Sequence, residues 1–302
     1  MEVPILLMTY RRQKNTELIL NILLKLRKKK IFVFNDGIKK KDHKKDQINT
    51  RKIILNYKSK FNMKLIFPKK NFTQKHNLPF ALNEVFKKND KVIILEDDCL
   101  PNKYFFKFCE ELLFRYEHDT RIAQISGNNF LNFKKFKRRN DDSYFFSKFT
   151  SSWGWATWKS RWKNHYNTKM NLWPKVKKEK WLNDMLINPI AVKFWTKYFD
   201  RRYNNIDDDW DRPWTFTNLI NNRLSIFPAK NLISNIGNDD YAIHKNPSKW
   251  DNLKLETLKF PLKHPLIISP DFEIDNFLTK EGFSIPNLSY RIKNKLKKIF
   301  KI

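Results

Sequence analysis

The sequence predicts an α/β fold, a mostly parallel sheet with helices on both faces, and three observations predict it. In the first half, four apolar strand-like runs alternate with helix-like runs, the order that builds parallel βαβ units. Those runs, VPILLMTY, IFVF, MKLIF and KVIIL, are almost wholly apolar rather than alternating, as strands buried on both faces are. The 302 residues, 41% hydrophobic and 30% charged with 26 Phe and 10 Trp, suffice for a large core.

Each element follows in order. A strand over 3–10 leads through a loop at 11–15 to a helix over 17–29, whose length and apolar spacing are helical. A second strand over 31–34 closes on the turn Asn35-Asp36-Gly37, and a helix over 46–58 precedes a third strand at 63–67. Asn77 is expected to cap a short helix with Pro79 in its first turn and Ala81, Leu82, Val85 and Phe86 facing inward, before a fourth strand at 91–95. A helix at 103–117, a strand at 122–126 and a turn at Ser126-Gly127-Asn128-Asn129 follow. The second half is less regular: a charged loop covers 135–143, and SSWGWATWKSRW (151–162) is expected to begin a helix after Gly154. The expected domain covers 1–250, with one half at 1–130 and the other at 131–250. A C-terminal extension over 251–302, interrupted by Pro261, Pro265, Pro270 and Pro286, ends in a basic helix at 289–302.

Composition narrows the function. The five glycines, Gly37, Gly127, Gly154, Gly237 and Gly282, are never closer than 27 positions, so every multi-glycine phosphate loop and nucleophile elbow is excluded. The balance of 61 basic to 31 acidic residues, +30, favours polyanions: nucleic acid, anionic lipid, nucleotides or acidic glycans. Cys99 and Cys109 fit no metal or redox spacing and read as packing residues, in keeping with a reducing compartment. No apolar run approaches the ~18 residues of a membrane span, and Glu2 stands where a signal peptide would be positive; the expected location is cytoplasmic.

The chemistry concentrates where strands end. Glu96-Asp97-Asp98 directly follows the apolar VIIL, so three carboxylates emerge at the carboxyl edge of a buried parallel strand, where ligands bind in such sheets. Carboxylates this close repel unless a cation neutralises them, and hard oxygen ligands suit Mg²⁺ or Mn²⁺ that also carries substrate phosphates. Asp36 points into the same rim, where a carboxylate can accept the imide N–H of a pyrimidine, and so does Thr9-Tyr10-Arg11, whose Tyr can stack on a base; alone, Asn35-Asp36-Gly37 is an ordinary turn. Asp207, Asp208, Asp209 and Asp211 precede a helix; such residues cap helices, yet four exceed what a cap needs, and one beside a bound sugar could deprotonate a hydroxyl. His244 has no Cys or second His at ligand spacing and reads by itself as structural. Trp153, Trp155 and Trp158 are either core or flat faces for a sugar ring.

Taken in order, PILLMTYRR, FVFNDG, VIILEDDCLP, ISGNNF, SSWGWATWKSRW, DDDWDRPW and NLISNIG with the following YAIH resemble nucleotide-sugar glycosyltransferases of the GT-A (Rossmann-like) fold. Within them they are similar to a bacterial family-2-like group related to N-acetylglucosaminyltransferase I. The resemblance spans about residues 2–245 and implies that 1–130 is the nucleotide-sugar-binding half and 131–250 the acceptor-side half. It implies Asp98 as ligand of a metal on the diphosphate, Asp97 near the ribose and Glu96 near the donor sugar. It implies Asp36 as the base-binding aspartate, with Thr9, Tyr10 and Arg11 in the same pocket. Asp211 matches the catalytic base of the bacterial group and Asp209 that of the eukaryotic motif. His244 matches a C-terminal metal or diphosphate ligand, and Trp153 and Trp155 are assigned to the acceptor.

The expected activity is a metal-dependent, inverting transfer of a sugar from a nucleotide diphosphate, with Mn²⁺ or Mg²⁺ as cofactor, to a hydroxyl of a glycan or glycolipid. A basic nucleic-acid-binding protein is the alternative, but its basic residues would be interleaved with aromatics in a module, and no nucleic acid is expected as partner. A sugar nucleotidyltransferase needs a glycine-rich loop after the first strand, and Met8-Thr9-Tyr10-Arg11-Arg12 has no glycine. In 289–302, Ile292, Leu296, Ile299 and Phe300 form one helical stripe amid Lys and Arg, the pattern of a helix on an anionic membrane surface. The expected placement is peripheral, on the inner face of the cytoplasmic membrane.

Overall fold

The computed structural model describes residues 2–28, 30–131, 136–241 and 248–282. Its first half is a regular succession: β1 (Ile5–Thr9), α1 (Gln13–Lys25), β2 (Lys30–Asn35), α2 (Lys44–Tyr57), β3 (Asn62–Ile66), α3 (Thr73–Phe86) and β4 (Lys91–Glu96). Then come β5 (Cys99–Pro101), α4 (Lys103–Arg115), β6 (Ile122–Ser126), β7 (Tyr144–Ser147), β8 (Trp155–Trp158) and α5 (Lys159–Trp162). Four helices follow, α6 (Trp173–Lys178), α7 (Leu182–Leu186), α8 (Pro189–Tyr203) and α9 (Asp211–Ile220), and then β9 (Leu224–Pro228), β10 (Ile233–Asn235) and α10 (Phe272–Gly282).

Eight strands form one sheet in the order β3-β2-β1-β4-β8-β6-β9-β7. The neighbours β3/β2, β2/β1, β1/β4 and β6/β9 are parallel, whereas β8 runs antiparallel to β4 and β6, and β7 to β9. This is the expected mixed α/β architecture. Both faces are covered: Ile5 and Leu7 of β1 pack with Ile19, Leu20 and Leu23 of α1, while Leu6 and Met8 pack with Leu78, Ala81 and Val85 of α3. A third cluster joins Trp173, Phe199 and Phe216 to Ile274 and Leu278. Cys99 and Cys109 are buried and free, as packing residues are.

Two expectations are corrected. The segment 155–158 is a strand, not the start of a helix: Trp155 to Trp158 are all buried, and the helical turn begins only at Lys159. Period-2 alternation sends Trp155 to one face of the sheet and Ala156 and Trp158 to the other, and pairing to β4 and β6 on both sides outweighs the helix-like run that follows. Helix α3 starts at Thr73, four residues before Asn77, so Pro79 lies inside it and Asn77 is no cap. Phe72 stacks on Phe80 with ring centroids 4.5 Å apart, a contact across the first two turns that offsets the bond Pro79 cannot make.

Residues 251–282, expected as the start of an extension, run back over the body. Leu258 and Leu262 join the first core cluster, and Asp275 of α10 accepts Ser147 Oγ at 2.5 Å and Lys148 N–H at 3.0 Å. The stretch 289–302 lies outside the described residues, as does His244. Among the described residues no helix is long and apolar enough to cross a membrane.

Candidate functional site

The carboxyl ends of β1, β2 and β4 lie side by side because these strands are parallel neighbours, and the side chains beyond them meet in one cavity of about 500 Å³. Thr9, Tyr10, Arg11, Asp36, Glu96 and Asp97, the six residues expected on the donor side, all line it. The walls are fixed by backbone. Tyr10 N–H donates to Asp97 Oδ2 at 3.0 Å, tying the end of β1 to that of β4. Asp36 is buried and its Oδ1 accepts Gly37 N–H at 2.7 Å and Phe72 N–H at 2.9 Å. Burial raises the Asp36 pKa, against the pull of those two bonds.

Three groups that the sequence reading missed hold this end of the cavity. Arg51 donates to Asn35 Oδ1 at 2.8 Å and to the Asn35 carbonyl at 2.9 Å, and Gln47 to the Asp36 carbonyl at 2.9 Å, which fixes the β2 turn from α2. His43 Nδ1 lies 3.0 Å from the Tyr10 hydroxyl, and burial lowers the imidazole pKa. Nothing local in the sequence marks these residues; Gln47 and Arg51 reach the rim because α2 packs across the end of β2, and His43 because it ends the turn that leads into α2.

The acidic end is dominated by repulsion. Burial, then Asp98, Asp97 and Asp211, push the Glu96 pKa well above its usual range, and burial pushes Asp97 up to about 6 against Arg12. Arg12, the neighbour of Arg11, is the missed residue with the most contacts. Its Nη1 lies 3.0 Å from Asp97 Oδ1 and 2.9 Å from Asp98 Oδ2, and its Nε 3.1 Å from Asp239 Oδ2. Two adjacent arginines just past a buried strand, opposite three carboxylates past another, are the sequence signal for it.

Asp97 and Asp98 are the two carboxylates of this end that could hold a divalent cation. Their oxygens converge on a single cationic nitrogen, and Gly237 packs so closely on them that a Cβ there would lie 2.6 Å from Asp98 Oδ2. Among the described residues no group of three His, Cys, Asp or Glu side chains is placed to hold a metal. Mg²⁺ and Mn²⁺ sites of this type take one or two carboxylates and complete their shell with phosphate and water.

The acidic run before α9 separates by partner. Asp207 binds Arg201 at 2.6 Å and also pairs with Arg212; Asp208 accepts Thr73 Oγ1 at 3.0 Å; Asp209 lies 2.8 Å from Arg212 and 3.7 Å from Arg202. Burial and the charge of Asp211 push Asp209 up to about 7. The carboxylate of Asp211, exposed at the first position of α9, has no hydrogen bond or ion pair among the described residues, yet its charge acts on Glu96.

The tryptophans divide. Trp155 is fully buried, its ring stacked on Trp210 at 5.5 Å and tilted on Trp214 at 5.9 Å, so it cannot present a face to a sugar and is corrected to core. Trp153 is half-buried. Because Trp155 pairs with Ile94, the residues before it lie on the rim where Glu96 emerges. Trp153 meets Phe130 edge-on at 5.3 Å, and Phe130 stacks on Trp250 at 4.4 Å.

No family model and no curated protein matches the chain. Solved structures do. The mannosyltransferase PcManGT from Pyrobaculum calidifontis, in complex with GDP-Man and Mn²⁺, is 14% identical over 53% of this chain and 45% of its own, with a TM-score of 0.37. The match thus spans less than half of that protein. An active-site mutant of LgtC is 11% identical over 96% of this chain and 99% of its own, TM-score 0.39. The 4-diphosphocytidyl-2C-methyl-D-erythritol synthase from Anaerococcus prevotii is 10% identical over 53% and 72%, TM-score 0.33. These are remote likenesses.

Proposed function

We propose that the chain is an inverting, metal-dependent glycosyltransferase that moves a sugar from a nucleotide diphosphate, with a UDP-sugar as the expected donor, to a hydroxyl of a glycan or glycolipid. The observation that carries this reading is the single cavity in which Asp36, Tyr10 and the Glu96-Asp97 pair meet. Asp36 accepts the imide N–H of the base, and Tyr10 supplies an aromatic wall. Asp98, with Asp97 beside it, holds Mn²⁺ or Mg²⁺, which when bound offsets the negative charge of the departing diphosphate. Glu96, whose neutral form is favoured by burial and its acidic neighbours, meets the donor sugar as a hydrogen-bond donor. Asp211 takes the proton of the acceptor hydroxyl as that oxygen bonds to the anomeric carbon and the carbon–diphosphate bond breaks on the opposite face. Trp153 offers the acceptor ring a flat partner. His244 is the candidate for a further metal or diphosphate contact.

Hydrolysis of a panel of UDP-, GDP- and TDP-sugars in the presence of Mn²⁺ tests this reading. Release of nucleotide from one donor class is the expected result. Failure to bind or hydrolyse any of them overturns it.

A further inference from the structure

Resting on the metal reading above, we propose that Arg12 is the resident counter-ion of the acidic cluster and exchanges with the divalent cation, so that guanidinium and metal occupy the Asp98 carboxylate in turn. The guanidinium is shared among three carboxylates that come from two distant parts of the chain. Nη1 binds Asp97 and Asp98, Nε binds both oxygens of Asp239 at 3.1 and 3.4 Å, and Nη2 donates to the Gly237 carbonyl at 3.3 Å. The Asp98 oxygen that Nη1 contacts is the one beside which Gly237 leaves no room for a side chain.

A divalent cation that ligates Asp98 Oδ2 competes with Nη1 for the lone pairs of that oxygen and is repelled by the guanidinium beside it in this half-buried site. A metal taken up on Oδ2 therefore displaces Nη1. The same guanidinium anchors 237–239, through Nε on Asp239 and Nη2 on the Gly237 carbonyl, and that segment is held beside Asp98 by the bond from Ile236 N–H to the Asp98 carbonyl at 2.8 Å. Arg12 thus keeps Glu96, Asp97, Asp98 and Asp239 together while no metal is bound, and metal binding costs the rupture of a charge-assisted bond. The exchange weakens metal affinity and makes it responsive to whatever else occupies the cavity.

Mn²⁺ alone is the probe, its binding followed by electron paramagnetic resonance on wild type, Arg12→Met and Asp98→Asn. Arg12→Met should bind Mn²⁺ at least about tenfold tighter than wild type, the scale of one charge-assisted contact, and Asp98→Asn should bind none. Without metal, Arg12→Met should unfold at a lower temperature than wild type, and Mn²⁺ should recover the difference. A measurement on wild type needs no variant to fold: phenylglyoxal labelling of Arg12, read by peptide mass spectrometry against exposed Arg27, should accelerate several-fold when Mn²⁺ is added. Equal or weaker Mn²⁺ binding by Arg12→Met, or labelling indifferent to Mn²⁺, overturns the exchange and leaves the transferase reading to the donor assay. Absence of Mn²⁺ binding by all three proteins also overturns it, and donor hydrolysis in EDTA then decides whether transfer stands without the metal.

Discussion

Arg212 Nη1 lies 2.8 Å from Asp209 Oδ2, three residues along and at the start of the helix that Asp209 precedes. The pair, with Arg212 N–H donating to Asp209 Oδ1 at 3.4 Å and Arg202 at 3.7 Å, engages Asp209 in holding the N-terminus of α9. A base needs a lone pair free to receive a proton, and in this run only Asp211 combines that with influence on Glu96.

Asp211→Asn is therefore expected to lower turnover by ~10²–10⁴-fold while donor binding is retained, because Asn keeps the size and loses the basicity. Asp209→Asn should lower the melting temperature more than the turnover. Steady-state kinetics and thermal unfolding on both variants check this, and the reverse outcome would move the base to Asp209.

Gly237→Ala places a methyl group 2.6 Å from Asp98 Oδ2, closer than van der Waals contact allows. Donor hydrolysis should fall at least about tenfold with the fold intact by circular dichroism, since the clash bears on one carboxylate at the rim. Asp98→Ala and EDTA should each abolish hydrolysis. Full activity in EDTA contradicts a metal on the diphosphate.

Trp155→Phe should cost ~1–3 kcal/mol of stability and leave the acceptor KM unchanged, because the indole is wholly inside the sheet's core. Trp153→Ala should raise the acceptor KM with a smaller effect on kcat. A rise in acceptor KM in Trp155→Phe at unchanged stability would return Trp155 to the acceptor face.

Asp275 makes stability depend on pH. Burial pushes its folded pKa up to about 7 in spite of the bonds from Ser147 and Lys148, while an unfolded Asp titrates near ~3.9. Between these values the folded protein keeps a proton that the unfolded chain has released, so the stabilisation is complete at low pH and is lost as pH rises from about 4 to about 7. The slope from this one group approaches ~1.4 kcal/mol per pH unit. Asp275→Asn should flatten the fall in denaturant midpoint over that window, and an unaltered pH profile would show that Asp275 is ionised in the fold.

The full chain should co-sediment with anionic liposomes and lose them at high salt, and deletion of 289–302 should abolish the binding, since each basic residue near anionic lipid contributes ~1 kcal/mol. Neutral liposomes should bind neither form. Equal sedimentation of the two proteins would remove the tail as the anchor.

By itself the sequence determined the first half of the sheet: a central parallel strand is apolar on both faces, so β1, β2 and β4 stand out as uninterrupted runs, and Asp36 and Glu96-Asp97-Asp98 are found by stepping off their ends. It left β8 hidden, because four buried residues ahead of a helical turn carry the same apolar signal in either conformation, and only pairing with β4 and β6 distinguishes them. The tertiary structure alone decided how the carboxylates are used. Arg12 meets Asp97, Asp98 and Asp239 across 85, 86 and 227 positions of chain, and Asp209 is set apart from Asp211 by Arg202 and Arg212. Local periodicity reports which face of an element is buried, whereas the partner of a charge depends on which elements the fold brings within about 4 Å of it.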